Sequence, residues 1–230
     1  MNHRHSTAKA GGCSATAILR WLGAVVGRSL DYPRVFHLQQ RLFAREYRGL
    51  KTTFGTWLVG RRSVLDIGCG TGACAASLFS FDRVSYVGVE VRRKYVEYAR
   101  RRYPGGEFLC ADASCTQFPG QPFDAVLMFS ILHHLSDADS ARLVEAVSGV
   151  LAPDGVVLSA EPLFPEPQRY RGTARLRAVV SLALLKMDRG NYIRDRCGYL
   201  RLWDGFRPVR DCTFRSSLHD FCGLVLKAAQ

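Results

Sequence analysis

The sequence predicts an α/β fold with a mostly parallel sheet of seven strands, flanked by helices and ending in an antiparallel hairpin. From residue 63 onward, short apolar runs alternate with helical stretches, which is typical of a parallel sheet covered on both faces. Near the end of the chain two further strands follow each other with no helix between them. The length of 230 residues and the 47% hydrophobic content suit one domain with additions.

Each strand of this sheet is predicted from a short run rich in apolar and β-branched residues. Helices are predicted between the strands from apolar residues at helical spacing, over residues 73–79, 94–103 and 140–151. We expect the turn at Pro153, Asp154 and Gly155 to close the last of these helices. The predicted strands are residues 64–67, 86–90, 107–112, 123–129, 156–160, 209–214 and 220–226.

The same patterns divide the chain into four segments. Before the sheet we expect a polar tail over residues 1–14, a helix over 15–29, and one or two helices over 35–58. After the fifth strand three prolines interrupt the alternation, and helices are predicted over 173–187 and 198–203. The segments are an N-terminal tail and helical lid (1–62), a ligand-binding core (63–161), an insertion (162–206) and C-terminal strands completing the sheet (207–230).

A glycine-rich turn joins the first strand to its helix, with glycines at positions 68, 70 and 72. Glycine permits positive φ angles and close approach of a ligand to the backbone. The turn also presents free N–H groups at a helix start, where the helix dipole favours negative charge. Turns of this kind bind several classes of nucleotide, and this one also resembles a nicotinamide-binding fingerprint in which Ala73 takes the third position.

Three acidic residues at the ends of successive strands narrow the choice of ligand. Asp66 precedes the turn, where a carboxylate opposes a pyrophosphate but suits a cationic or amino-bearing ligand. Glu90 ends the second strand, where a carboxylate holds ribose hydroxyls, and Asp112 ends the third, where it accepts from an exocyclic amine such as that of adenine. The alternative for each is an ordinary acid at a strand end or helix cap. Together they describe a ligand with an ammonium group, a ribose and an adenine.

Residues 64–72 (VLDIGCGTG) resemble, almost letter for letter, the first motif of the class I S-adenosylmethionine-dependent methyltransferases. Glu90 and residues 111–113, 123–126 and 151–155 resemble that family in order and spacing, so the likeness covers residues 63–161. The resemblance implies a Rossmann-like fold, S-adenosylmethionine as cofactor, and in-line transfer of a methyl group from the sulfonium. It does not identify the acceptor.

The resemblance also implies which residues contact each part of the cofactor. The turn and Asp66 would contact the methionine portion, Glu90 would hold the ribose hydroxyls, and Val91 would pack on adenine. Asp112 and Ala113 would contact the edge of the adenine ring, and residues after the fourth strand would lie beside the sulfonium. The residues implied are Asp66, Gly68, Cys69, Gly70, Gly72, Glu90, Val91, Asp112, Ala113, Phe129, Ser130 and His134.

The loop over residues 129–135 (FSILHHL) favours a small-molecule acceptor. It lacks the Asn/Asp-Pro-Pro-aromatic tetrad that marks many N-methylating enzymes of nucleic acid and protein, and it resembles the small-molecule branch of the family. His133 and His134 are the candidate catalytic residues, since a histidine can act as general base toward a hydroxyl or carbon acid. The alternative is that they pack against the cofactor or cap the next helix.

The insertion over residues 162–206 has the position of a substrate-binding segment in such enzymes. Its aromatic residues and arginines suit an acceptor that is partly apolar or carries an anionic end, and we select Tyr192 and Arg194 as candidate substrate-binding residues. The N-terminal helices would form a lid. The alternative is an ordinary amphipathic cover on the sheet edge.

The chain is strongly basic, with 32 Lys and Arg against 20 Asp and Glu, and the excess lies before Ser63 and after Glu166. Basic surfaces attract polyanions, so the alternatives are a methyltransferase acting on RNA, or a non-catalytic protein of this fold that binds a membrane surface or a protein partner. A further alternative is that the excess of basic residues serves only to keep the protein soluble. We favour the small-molecule enzyme because no interleaved aromatic and basic binding module is present.

The remaining composition points to a cytoplasmic protein without a metal site. The eight cysteines show no C-x-x-C pair, so we expect reduced thiols. No run is long and apolar enough to span a bilayer, because the stretch over residues 15–26 is interrupted by Arg20. A secretory signal is not predicted.

Overall fold

The computed structural model describes residues 32–42, 45–113, 118, 122–187, 190–215 and 219–229. A seven-stranded sheet with the strand order β3-β2-β1-β4-β5-β7-β6 forms its centre. The first five strands in chain order pair in parallel, whereas β7 lies antiparallel to both β5 and β6. The strands are β1 (Ser63–Ile67), β2 (Ser85–Glu90), β3 (Glu107–Cys110), β4 (Phe123–Phe129), β5 (Leu151–Pro162), β6 (Phe206–Arg215) and β7 (Asp220–Ala228).

Helices cover both faces of the sheet, because successive side chains of each strand point to opposite faces. The helices are α1 (Pro33–Leu42), α2 (Arg45–Leu58), α3 (Ala73–Leu78), α4 (Arg93–Arg102), α5 (Asp137–Ser148), α6 (Gly172–Met187) and α7 (Arg196–Arg201). On one face, buried side chains such as Leu65 and Ile67 pack against α5 and the segment around α7. On the other face, Val64 and its neighbours pack against α2, α3 and α4.

The predicted fold class is confirmed, and all seven predicted strands are present. The main difference is in β5, which begins at Leu151 and contains the prolyl turn predicted to lie before it. The register of β5 against β4 shifts, so that Phe123 pairs with Leu151 but Ala125 pairs with Val156. The extra residues of β5 bulge out of the ladder. Sequence patterns place a turn there because Pro and Gly favour both turns and bulges.

The N-terminal region contributes two helices where one or two were predicted. Helix α1 packs against α3 and α4, and α2 packs against α3, β5 and β6. The predicted tail over residues 1–14 and the predicted helix over 15–29 lie outside the described residues.

The segment between β5 and β6 contains a short 3-10 turn, α6 and α7. Polar contacts attach α6 to the start of β7: Arg177 pairs with Asp220 at 3.3 Å, and Ser181 Oγ lies 2.8 Å from His219 Nδ1. Helix α7 begins after Asp195, whose side chain accepts a hydrogen bond from Gly198 N. Within the described part of the chain, no helix has the length and apolar character needed to cross a membrane.

Candidate active site

The glycine turn forms a narrow cradle at the carboxyl end of β1. Gly68, Gly70 and Gly72 have φ angles of 76°, 56° and 76°, in the left-handed region that favours glycine. A Cβ atom on Gly68 would lie only 3.0 Å from Cδ1 of Ile131, so a side chain there would close the space over the turn. The turn is anchored to the sheet because Gly68 N and Cys69 N both donate to Val89 O, at 2.8 and 3.1 Å.

Asp66 places a buried carboxyl group directly under this turn. Its side chain is 4% exposed, and the Tyr86 hydroxyl donates to Oδ2 at 2.7 Å. Burial raises the pKa of Asp66 to about 7, the hydrogen bond from Tyr86 opposes this rise, and the nearby Glu90 adds to it. A cation bound at the turn would favour the ionised form of Asp66.

Glu90 ends β2 with a buried carboxylate whose two oxygens have different partners. Oε2 accepts from Gly70 N at 3.1 Å, and Oε1 accepts from the backbone N and the Nε of Arg92, at 2.9 and 3.0 Å. The Arg92 guanidinium lies 3.8 Å from the ring centroid of Tyr95. Glu90 therefore ties the glycine turn to the loop after β2, which is the arrangement that a shared ligand site requires.

The residues predicted to hold adenine follow the ends of β2 and β3. Val91 is 63% exposed, and Asp112 is exposed just beyond β3, which ends at Cys110 rather than at residue 112 as predicted. Ala113 is partly buried against the core. The two strand ends meet because Ala111 N donates to Glu90 O at 3.2 Å, so these side chains lie at the same edge of the sheet.

Helix α1 covers the glycine turn from outside. His37 is buried, and its Nδ1 lies 3.3 Å from Thr71 Oγ1. The rings of His37 and Tyr98 are 5.2 Å apart, and those of Phe36 and Tyr95 are 4.8 Å apart. Sequence reasoning did not select His37, because a single histidine in a helix carries no spacing signal toward a turn that lies more than thirty residues away.

A cavity of about 120 Å³ opens beside the turn, between α2 and the carboxyl ends of the central strands. It joins the predicted cofactor residues of β1 and β4 to an apolar wall that comes from α2 and the β6–β7 hairpin. The lining residues are Tyr47, Leu50, Asp66, Gly68, Cys69, Cys74, Phe129, Ser130, Ala160, Phe214 and Phe221.

Ser130 follows β4 with a φ of 57°, an uncommon value for a residue with a side chain. The next residues donate to one buried carboxylate: Ile131 N and Leu132 N each lie 2.9 Å from Glu161 Oε1, and His133 N lies 3.3 Å from Oε2. Glu161, at the end of β5, is 1% exposed. It therefore fixes the start of the loop on which Ser130 lies.

His133 belongs to this hydrogen-bonded support. Its ring is 1% exposed, and its Nδ1 lies 2.8 Å from Glu161 Oε2. Gly190 packs on the ring, since a Cβ there would lie 2.5 Å from His133 Cδ2. His134 is exposed, with its ring 4.0 Å from that of His133. Neither histidine lines the cavity. The geometry thus favours packing and support over the predicted general-base role.

Arg194 holds the other end of the same loop. Its guanidinium donates to Leu132 O at 2.9 Å, to Leu135 O at 2.9 Å, and to Asp137 Oδ1. Tyr192 is half-exposed, and its backbone N donates to His133 O at 3.0 Å. Neither Tyr192 nor Arg194 lines the cavity, so their predicted substrate contacts find no support in this geometry. Their contacts instead attach the insertion to the loop after β4.

The fold and the site together define a class of protein. Six strands of the sheet run in one direction and β7 is reversed, a glycine turn follows β1, and buried acids lie at the ends of β1 and β2. Residues 64–155 match the family described as "Methyltransferase domain". The matched residues include the glycine turn, Asp66 and Glu90, so this part of the chain is similar to the class I methyltransferases, which use S-adenosylmethionine as cofactor.

Two curated relatives show how far this similarity extends. An uncharacterized methyltransferase of Mycobacterium tuberculosis is 29% identical over 137 residues, which cover 58% of this chain and 66% of the relative. The 27-O-demethylrifamycin SV methyltransferase of Amycolatopsis mediterranei is 32% identical over 124 residues, which cover 50% of this chain and 45% of the relative. The chain thus spans less than two thirds of each relative.

Solved structures show the same fold at low sequence identity. The mitomycin 7-O-methyltransferase superposes with a TM-score of 0.64 at 21% identity, covering 85% of this chain and 57% of that one. Human N-acetylserotonin methyltransferase, solved in complex with S-adenosylmethionine, superposes with a TM-score of 0.65 at 20% identity, covering 96% and 61%.

Proposed function

We propose that the protein transfers the methyl group of S-adenosylmethionine to a small-molecule acceptor bound in the cavity beside the glycine turn. One observation carries the proposal: a single cavity is lined by the turn and Asp66 on one side and by apolar side chains of α2 and the hairpin on the other. A donor site and an acceptor site that share one cavity are what a group-transfer enzyme requires.

The residues of the turn fit the cofactor. The glycines of the turn leave room for the cofactor to approach the protein backbone, and Asp66 offers a carboxyl group to the ammonium of its methionine portion. Glu90 offers a second carboxylate to ribose hydroxyls, provided that Arg92 gives way at Oε1. Val91, Asp112 and Ala113 would border adenine.

The bound cofactor supplies an electrophilic methyl group on a sulfonium. The contribution of this chain is alignment: Phe129 and Ser130 form the border between the donor and acceptor sides, and α2 covers the acceptor side. The hydrogen bonds of Glu161 to the following loop fix Ser130 in its unusual conformation. His133, which contacts Glu161, therefore has a positioning role for this loop.

We infer an oxygen acceptor. One similar structure is named mitomycin 7-O-methyltransferase and one relative is named 27-O-demethylrifamycin SV methyltransferase, and this likeness supports a hydroxyl as the acceptor group.

Calorimetry with S-adenosylhomocysteine and a radiolabelled methyl-transfer assay over a panel of hydroxylated small molecules test the proposal. We expect the wild-type protein to bind S-adenosylhomocysteine and to label at least one acceptor. Gly68→Val, which fills the turn beside Ile131, should abolish binding. Gly55→Ala is the matched control, because a Cβ at this position in α2 would meet only Lys51 Cγ at 3.7 Å. Absence of S-adenosylhomocysteine binding to the wild-type protein would refute the proposal.

A further inference from the structure

The acceptor side of the cavity differs in chemistry from the donor side. We propose that it takes a flat, uncharged apolar acceptor, held between α2 and the β6–β7 hairpin, and that Phe214 and Phe221 determine this specificity. The inference rests on the proposed function and deepens it, since it names the chemical class of the acceptor. Within the described parts of the insertion, residues 162–187 and 190–206, no residue lines this cavity.

Four aromatic rings form one continuous wall at this side. The rings of Phe214 and Phe221 stack at 5.4 Å with an interplanar angle of 12°. Phe54 meets Phe214 edge-on at 6.1 Å and stacks on Phe129 at 5.4 Å. Phe129, Phe214 and Phe221 reach the cavity, and Phe54 lies fully buried behind them. Such a wall offers ring faces and edges to a planar ligand.

The Phe214 ring is held in place from two sides by glycines. A Cβ on Gly49 of α2 would lie 3.0 Å from Phe214 Cδ2, and a Cβ on Gly223 of β7 would lie 3.0 Å from Phe214 Cε1. The ring therefore fits closely between α2 and the hairpin and has little freedom to turn. A wall that is ordered before binding loses less entropy when a ligand arrives.

The charges of the side chains that line the cavity indicate which charge the acceptor can carry. Among the described residues that line the cavity, none is Lys, Arg or His, although the chain as a whole carries a net charge of +12. The acidic side chain in this lining is Asp66. An anionic acceptor would be desolvated there with no basic side chain of the described lining to pair with it. This opposes the anionic end that the sequence suggested.

The polar side chain at the border of this side suits a neutral hydroxyl. Ser130 after β4 contributes a hydroxyl-bearing residue to the lining, whereas the Tyr47 hydroxyl of α2 is buried, and the rest of the acceptor side is apolar. A hydroxyl of the acceptor can exchange hydrogen bonds with a serine hydroxyl without carrying a charge. Ser130 also borders Phe129, so a hydroxyl held there lies between the aromatic wall and the donor side.

The test uses 2-naphthol and 2-naphthoate, two flat probes that differ mainly in charge. Binding of each to protein saturated with S-adenosylhomocysteine is measured by calorimetry. We expect 2-naphthol to bind at least about tenfold more tightly than 2-naphthoate, because only the second carries a charge into the cavity. Phe214→Leu and Phe221→Leu should each weaken 2-naphthol binding by about threefold to tenfold.

Phe164→Leu is the matched control, because this aromatic side chain is 52% exposed and does not line the cavity. It should leave 2-naphthol binding unchanged, and all three variants should keep the wild-type affinity for S-adenosylhomocysteine, which also shows that they fold. Lack of 2-naphthol binding, equal or tighter binding of 2-naphthoate, or wild-type 2-naphthol affinity in both cavity variants overturns the inference. Failure to bind S-adenosylhomocysteine would instead refute the proposed function, so the two failures are distinguishable.

Discussion

At the scale of single residues, the site depends on the buried carboxyl groups of Asp66 and Glu90. Asp66 lies under the glycine turn with Tyr86 as its hydrogen-bond donor, and Glu90 and Cys69 face it from the neighbouring strand and the turn. Burial penalises the charged form of a carboxyl group, and a bound cation reverses that penalty. The protonation of Asp66 should therefore be linked to cofactor binding.

We expect the affinity for S-adenosylmethionine to rise with pH through the pKa of Asp66, about 7. Between about pH 6 and about pH 8 the ionised fraction of such a group rises about tenfold, and the dissociation constant should fall by about the same factor. Calorimetry across this pH range measures the dissociation constant of S-adenosylmethionine. Asp66→Asn should bind weakly with no such dependence. Tyr86→Phe, which removes the donor that lowers the pKa, should move the transition to higher pH. A flat wild-type profile would contradict the linkage.

The same shift predicts how stability depends on pH without ligand. The folded-state pKa of Asp66 lies above its ordinary value of 3.8, so the folded protein binds the proton more tightly than the unfolded chain. The contribution of Asp66 to the free energy of unfolding is therefore greatest below about pH 4 and is lost as the pH rises through about 7.

At the scale of elements, the loop after β4 is held at both ends by opposite charges. Glu161 accepts from N–H groups at the start of the 3-10 turn Leu132–His134, and Arg194 donates to the carbonyl oxygens of Leu132, its first residue, and of Leu135, which follows it. The carboxylate thus meets backbone donors and the guanidinium meets backbone acceptors. The insertion thereby supports the loop that carries Ser130 toward the cavity.

Substitution of Arg194 tests this support. Arg194→Lys cannot reproduce the several directed hydrogen bonds of the guanidinium, so we expect a loss of about 1–3 kcal/mol in the free energy of unfolding. We also expect kcat to fall more than the affinity for S-adenosylhomocysteine, since the loop lies on the acceptor side. Arg196→Lys is the control, because Arg196 pairs with Asp211 through a half-exposed side chain and its replacement should leave the free energy of unfolding close to the wild-type value. Urea denaturation and steady-state kinetics measure both effects, and equal losses in the two variants would contradict the role of Arg194.

At the scale of the whole molecule, charge and cavity point to different partners. The net charge of +12 attracts polyanions, and three successive arginines end α4 at residues 100–102. The cavity itself is small, aromatic and without basic side chains among its described lining. Surface charge acts through long-range attraction, whereas the acceptor proposed above would be selected by contact inside the cavity.

A labelled oligouridine distinguishes attraction by surface charge from methylation at the cavity. We expect it to bind weakly at low salt in a gel-shift assay and to lose about tenfold or more in affinity between about 50 mM and about 200 mM salt, with no transfer of labelled methyl groups to the RNA. Arg101→Glu should weaken this binding without changing methyl transfer to a small acceptor, while Arg93→Glu serves as a charge-matched variant at the other end of α4. Methylation of the RNA would favour the alternative function.

The sequence by itself determined the order of the strands along the chain and the position of the glycine turn. Alternating apolar runs are local consequences of burial on two faces, and glycine is required locally where φ is positive, so both can be read from neighbouring residues. The same holds for Asp66 and Glu90, because each lies at a fixed offset from a strand end.

The tertiary structure alone decided what lies opposite that turn. Leu50 of α2, Phe214 of β6 and Phe221 of β7 meet at one cavity, and Glu161 and Arg194 meet one loop, from distant parts of the chain. No period in the sequence joins such residues, because their contact arises from how β5, β7 and β6 pair and how α2 packs on them. For this reason the residues proposed to bind the cofactor could be named from the sequence, whereas the aromatic wall of the cavity, formed by α2 and the β6–β7 hairpin, required the packing of the whole sheet.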